Sequence, residues 1–138
     1  MRLRGQAVLV SGGSGGIGRA VALALAREGA AVGLLARGRP GLDQVVAEIE
    51  AAGGTALAVP GDAGQEPDAG RAVEIVVHRL GRLDVLVTAQ GTGSFGPVDT
   101  SRLADWDAMM TANLRATYLL CRAALPPCSG LGGVPSST

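Results

Sequence analysis

Residues Ser11 to Gly18 read SGGSGGIG and lie between an apolar run ending at Val10 and a helical pattern opening at Ile17. Within them Gly12, Gly16 and Gly18 have the spacing G-x-x-x-G-x-G. Glycine at such positions lets the backbone turn sharply, approach a bound group closely and pack a helix against a strand. The start of a helix adds free N–H groups and positive dipole charge. This chemistry suits a phosphate and, with a second strand at the right distance, the pyrophosphate of a dinucleotide. Three more residues bear on the same ligand. Arg37 ends the second apolar run, and no Asp or Glu lies between Gly29 and Leu42. Asp62 follows the third run in Pro-Gly-Asp, where it could face a ligand crevice or simply form a turn. Asn113 falls inside a helical pattern, where Asn is a poor helix former.

The elements that must position these residues follow from periodicity. Ala7 to Val10, Ala31 to Ala36, Ala56 to Val59 and Leu83 to Val87 are short apolar runs and read as buried strands. Between them run helical stripes: Ile17, Ala20, Val21, Ala24 and Leu25, then Leu42, Val45, Val46 and Ile49, then Val73, Val76, Val77 and Leu80. Gly29, Gly53-Gly54 and Gly81 are placed to stop these helices. From about Ser101 to Leu125 a helical pattern returns, with Met110, Leu114, Thr117, Tyr118, Cys121 and Leu125 along one side, and Pro126-Pro127 is expected to end it. Strands and helices in strict alternation predict an α/β fold with a parallel sheet covered on both faces. Residues 1–125 read as one Rossmann-type domain, and 126–138, rich in Gly, Pro and Ser, as an irregular tail.

Composition narrows the function classes. Of 138 residues 47% are hydrophobic, 17% charged and only 2% aromatic, so the core must rest on Ala, Val, Leu and Ile. Net charge is zero, which argues against nucleic acid and anionic membranes as partners. All twelve basic residues are Arg, and there is no Lys. Two cysteines, Cys121 and Cys128, make neither a disulfide framework nor a zinc site, and no metal site is expected. No apolar run approaches the roughly 20 residues needed to span a bilayer. The expected location is the cytoplasm. His78 is the only histidine and reads as a surface residue, while Asp105 and Asp107 read as helix-start charges.

These motifs together resemble the short-chain dehydrogenases/reductases over about residues 5 to 125. The family carries T-G-x-x-x-G-I-G at the turn, and Ser11 stands here for the Thr. The likeness includes Asp62-Ala63, the LDVLV run, Phe95 to Val98, Trp106 and Asn113-Leu114. It implies an incomplete doubly wound sheet of order 3-2-1-4. It assigns Ser11, Gly12, Ser14, Gly16, Ile17 and Gly18 to the cofactor's phosphates, and Asp62 and Ala63 to adenine. Ala89 and Gly91 would offer backbone contacts near the nicotinamide ribose, although the family's N-N-A-G is Thr88-Ala89-Gln90-Gly91 here. Arg37, in place of an acidic residue, goes with the 2′-phosphate of NADP(H) rather than with NAD(H). Arg39 is a possible second contact, whereas Arg19 reads as solvated. Asn113 matches the Asn of the family's catalytic tetrad.

The resemblance implies hydride transfer between NADP(H) and a small carbonyl or alcohol. That chemistry needs a Tyr-x-x-x-Lys pair, and here the sole Tyr, Tyr118, is followed four residues later by Arg122. Ser136 and Ser137, near the place of the family's catalytic Ser, follow Pro135 and no apolar run. The expectation is a chain that binds cofactor and does not turn over, as a truncation or reading-frame change would produce. The alternative is a non-catalytic NADP(H)-binding or interaction module. The LDVLV run is expected at an open sheet edge, where it invites self-association.

Overall fold

A computed structural model describes residues 1–91 and 96–128. Phe95 and Pro135 to Ser137 lie outside the described residues. Four strands, β1 (Ala7–Ser11), β2 (Ala31–Ala36), β3 (Thr55–Pro60) and β4 (Val85–Thr88), alternate with α1 (Gly16–Arg27), α2 (Arg39–Ala51) and α3 (Glu66–Leu80). A short 3₁₀ turn, Val98–Thr100, leads to α4 (Leu103–Met110), a π-helical turn (Thr111–Arg115) and α5 (Ala116–Cys128). The sheet order is β3-β2-β1-β4, with every pair parallel. The expected Rossmann-type arrangement is therefore what the chain adopts.

Alternation along β1 decides which face each helix covers. Val8 and Val10 join Ala22, Val32, Leu34, Leu42, Val45 and Ile49 in a core under α1 and α2. Leu9 points the other way, to Leu35, Val59, Val73, Val76, Leu119 and Leu120 under α3 and α5. With so few aromatic residues, close approach replaces bulk: a Cβ at Gly33 would stand 2.7 Å from Val76 Cγ2. At the opposite end from the glycine turn, Asp84 ties β4 to β1. Its Oδ2 accepts from the Ala7 N–H at 2.8 Å, and the Asp84 N–H donates to the Ala7 carbonyl at 2.9 Å. The Arg82 guanidinium, bonded to both carboxylate oxygens at 2.7 Å, holds that carboxyl below the usual carboxylate range. Partial burial works against this, and the Ala7 N–H adds to it.

Three expectations need correction. The stripe Ile17, Ala20, Val21, Ala24 and Leu25 is rotated from the true inner face of α1: Gly18 and Ala22 are the buried positions, and Ile17 is exposed. Gly18 must lie against Gly12, and in a helix of small apolar residues only Arg19 and Arg27 mark the outside. In α5 the buried residues are Ala116, Leu119, Leu120 and Ala124, whereas Leu114, Tyr118, Cys121 and Leu125 are exposed. The π-turn shifts the helical phase between Met110 and Ala116, so one continuous 3.6-residue stripe cannot run through both halves. Finally, α5 continues through Pro126 and Pro127 to Cys128. Packing of Leu119, Leu120 and Ala124 beneath α3 carries the helix one turn past the expected stop.

Candidate dinucleotide site

The C-terminal ends of the strands open into a groove of about 830 Å³. It lies where the order reverses between β1 and β4, the place at which doubly wound sheets take ligands. The walls are the glycine turn, the end of β2 with Arg37, the Asp62–Gly64 loop, the Ala89–Gly91 segment and the side of α4 and the π-turn. Of the expected cofactor residues, Ser11, Gly12, Ser14, Arg37, Asp62, Ala63, Ala89 and Gly91 line it. Gly16, Ile17 and Gly18 do not; they form the first turn of α1 beside it.

Each glycine of the turn has a distinct neighbour. Gly12 has φ +78°, and a Cβ there would stand 2.7 Å from the Gln90 nitrogen and 2.8 Å from the Ala89 carbonyl carbon. Only glycine lets β1 and β4 stay this close at their ends. A Cβ at Gly18 would fall 1.9 Å from the Gly12 oxygen, so the helix starts directly on the turn. Gly16 differs: a Cβ there would meet nothing within 4 Å. Its missing side chain leaves open space at the helix start.

The N-terminus of α1 has no side-chain cap and no acidic residue in its first turn. The first α1 donor bonded within the helix is Arg19, to the Gly15 oxygen at 2.7 Å. The N–H groups of Gly16, Ile17 and Gly18 precede that ladder and stand at the positive end of the dipole. An uncapped helix start with an opening at Gly16 fits a phosphate. Across the groove Arg37 is exposed and makes no ion pair among the described residues, whereas Arg39 is engaged by Asp43 at 3.5 Å. Arg19 is held by Glu48 and is occupied as a structural ion pair.

Asp62 lines the groove and also forms the turn. Its Oδ1 accepts from the Gly64 N–H at 2.9 Å, which is a turn-forming bond. Its own N–H donates to Asp68 Oδ2 at 2.8 Å, fixing the loop to α3. Asn113 lies in the π-turn, where its side-chain amide donates to the Met109 oxygen at 2.7 Å. Its Oδ1 is 2.4 Å from where a Cβ of Gly91 would be, so glycine at 91 lets the two segments meet. Tyr118 stands away from the groove, exposed, with the Arg122 guanidinium 5.5 Å over its ring. His78 is exposed in the last turn of α3, as expected.

Sequence reasoning missed Gln90, Asp107, Thr111, Arg115 and Thr117. Gln90 Nε2 donates to Thr117 Oγ1 at 3.2 Å, and Arg115 Nε to the Gly64 oxygen at 3.1 Å. Gln90 had a signal: it is a long polar residue between Ala89 and Gly91, where the turn needs only small ones. Ser11 Oγ and Gln90 Oε1 are buried without a hydrogen-bond partner among the described residues.

A second cleft, of about 790 Å³, lies at the opposite end of the sheet. The C-terminal ends of α1, α2 and α3 converge there, with Arg4, Arg27 and Arg82 among its walls. Arg82 is engaged there by Asp84, and Arg27 stands in the last turn of α1, against the negative dipole charge of a helix end.

The model of the family described as short chain dehydrogenase matches residues 6–133. The chain belongs to the short chain dehydrogenase family. It is 40% identical over 127 residues to a short chain dehydrogenase of Pseudocercospora fijiensis, covering 91% of this chain and 41% of that protein. A metagenomic short-chain oxidoreductase solved in complex with NADP is 42% identical with TM-score 0.87, over 92% of this chain and 58% of that one. A short chain dehydrogenase from Burkholderia cenocepacia, also solved with NADP, is 38% identical with TM-score 0.87, over 92% of this chain and 52% of that one. The chain spans about half the length of the curated relatives it matches. A nicotinamide dinucleotide is thus the cofactor class of this family's groove. No helix of the described residues is long and apolar enough to cross a membrane.

Proposed function

We propose that the groove binds NADP(H) in preference to NAD(H), as the nucleotide-binding part of an oxidoreductase that acts on a carbonyl or alcohol. The observation that carries this reading is the uncapped start of α1 facing the same groove as an ion-pair-free Arg37. When bound, NADP(H) supplies the hydride chemistry. The residues of this chain bind and orient it. The N–H groups of Gly16, Ile17 and Gly18 take the pyrophosphate, and Arg37 takes the 2′-phosphate with charge-assisted bonds. Asp62 and Ala63 hold the adenine, and the backbone of Ala89 and Gly91 flanks the nicotinamide ribose. Asn113, against Gly91, is the residue placed to hold a proton-relay group near the reacting end. The 138 residues contain no Lys and place Tyr118 outside the groove, so by themselves they bind the cofactor without turning it over.

Fluorescence titration tests this reading. NADPH should bind about tenfold more tightly than NADH, the worth of one charge-assisted contact. Arg37→Ala should bring the two together by weakening NADPH alone. Equal affinities in the parent chain, or an Arg37→Ala chain that keeps the preference, would sink the NADP(H) assignment. Oxidation of NADPH above background with any of a panel of ketones and aldehydes would overturn the binding-only reading.

A further inference from the structure

The π-turn that carries Asn113 is fastened to both loops flanking the groove. On one side Arg115, at the end of the turn, donates through Nε to the Gly64 oxygen at 3.1 Å. Thr111, at its start, lies against the same loop: its Cγ2 is 3.1 Å from where a Cβ of Gly64 would be. The Gly64 N–H in turn donates to Asp62 Oδ1. On the other side Gln90 Nε2 donates to Thr117 Oγ1, and the Thr117 hydroxyl donates to the Asn113 carbonyl at 2.8 Å. A Thr hydroxyl bonded to the carbonyl four residues back competes with the helix ladder and bends it, which favours the wider register there. Gln90 Oε1 meanwhile stays buried, with no hydrogen-bond partner among the described residues.

We propose that Gln90 and Arg115 are positioning residues. They fasten the Thr111–Arg115 turn to the Ala89–Gly91 segment and to the Asp62–Gly64 loop. A dinucleotide seated between those two segments then stiffens the turn and fixes the pose of Asn113. The inference rests on the reading of the groove as a dinucleotide site. Arg115 acts through its hydrogen bond to the Gly64 oxygen, and Gln90, itself in the groove-lining segment, acts through its side-chain bond to Thr117.

Amide hydrogen exchange of the 138-residue chain, with and without saturating NADPH, tests this in the parent, Gln90→Met, Arg115→Met and Arg115→Lys. In the parent, NADPH should slow exchange at residues 111–117 by about tenfold. In Gln90→Met and Arg115→Met most of that slowing should vanish at saturating NADPH, while β1 exchange stays unchanged. Arg115→Lys, which can still donate to the Gly64 oxygen, should restore it. Undiminished slowing in both Met variants overturns the proposal. So does a uniform rise in exchange across the chain with a fall in Tm, which marks a merely structural role. A parent chain that does not bind NADPH refutes the groove reading instead. The fastening is then judged without ligand, where Gln90→Met must speed exchange at residues 111–117 about tenfold and spare β1, and no change overturns it.

Discussion

Gly16 and Gly18 lie two residues apart in the first turn of α1, yet substitutions at them test different things. At Gly18 a Cβ would sit 1.9 Å from the Gly12 oxygen, a backbone atom that cannot swing aside. Gly18→Ala must push α1 off the turn, and overpacking of this kind costs about 1–3 kcal/mol. At Gly16 a Cβ meets nothing within 4 Å, and Ala is the better helix former by up to about 1 kcal/mol. Gly16→Ala should therefore leave Tm level or slightly raised and weaken NADPH by tenfold or more, because the methyl fills the phosphate's space. Chemical denaturation and NADPH titration of both variants check this. A Gly16→Ala chain with full affinity would remove the phosphate from that position. The spacing of these glycines was legible in sequence, and so were Arg37 and Asp62, because each needs only a local turn or a strand end to be placed. Gln90, Thr117 and Arg115 were not. Their roles depend on side chains that meet across 27 and 51 positions of chain, and no local pattern encodes that.

At the scale of elements, legibility follows the contrast between inner and outer residues. α2 has Leu42, Val45 and Ile49 set among Arg, Asp, Gln and Glu, and its inner face was read correctly. α1 is nearly all small and apolar, and its inner face was read in the wrong rotation. The α4–α5 segment misled because a π-turn breaks its phase, and only the Asn113 within it hinted at that. β4 shows how one side chain orders an element. Asp84 joins its start to Ala7, with Arg82 lowering the carboxyl's pKa. A carboxyl with a lowered native pKa binds its proton more readily in the unfolded chain, so stability rises with pH through that range. The contribution is whole above the unfolded value of about 4 and is lost as pH falls through the native value. Thermal melts of the parent should therefore drop in Tm below about pH 4. Asp84→Asn should melt lower at neutral pH and show a shallower acid decline. An unchanged acid slope in Asp84→Asn would show that other carboxylates carry it.

For the whole molecule, the decisive feature is the edge at β4. Among the described residues the order β3-β2-β1-β4 leaves this strand paired on one side only, and Val85, Leu86 and Val87 are half-buried. The Ala89 N–H donates to the Ser11 oxygen of β1, so by the two-residue period of a strand Val85 and Val87 face β1, and the N–H groups of Leu86 and Thr88 point outward at the edge. An apolar edge with unpaired donors is a template for another strand. We propose that the occupant is β4 of a second copy, since an identical edge offers the same apolar residues and the same free backbone groups. Sedimentation velocity should then show an average mass that rises with concentration. Thr88→Pro removes an outward donor without touching the β1 bonds and should shift that rise to higher concentration, with NADPH binding retained. A parent chain that sediments as one monomeric species across the whole range would end the proposal. Association undisturbed by Thr88→Pro would move the contact from the strand edge to another surface.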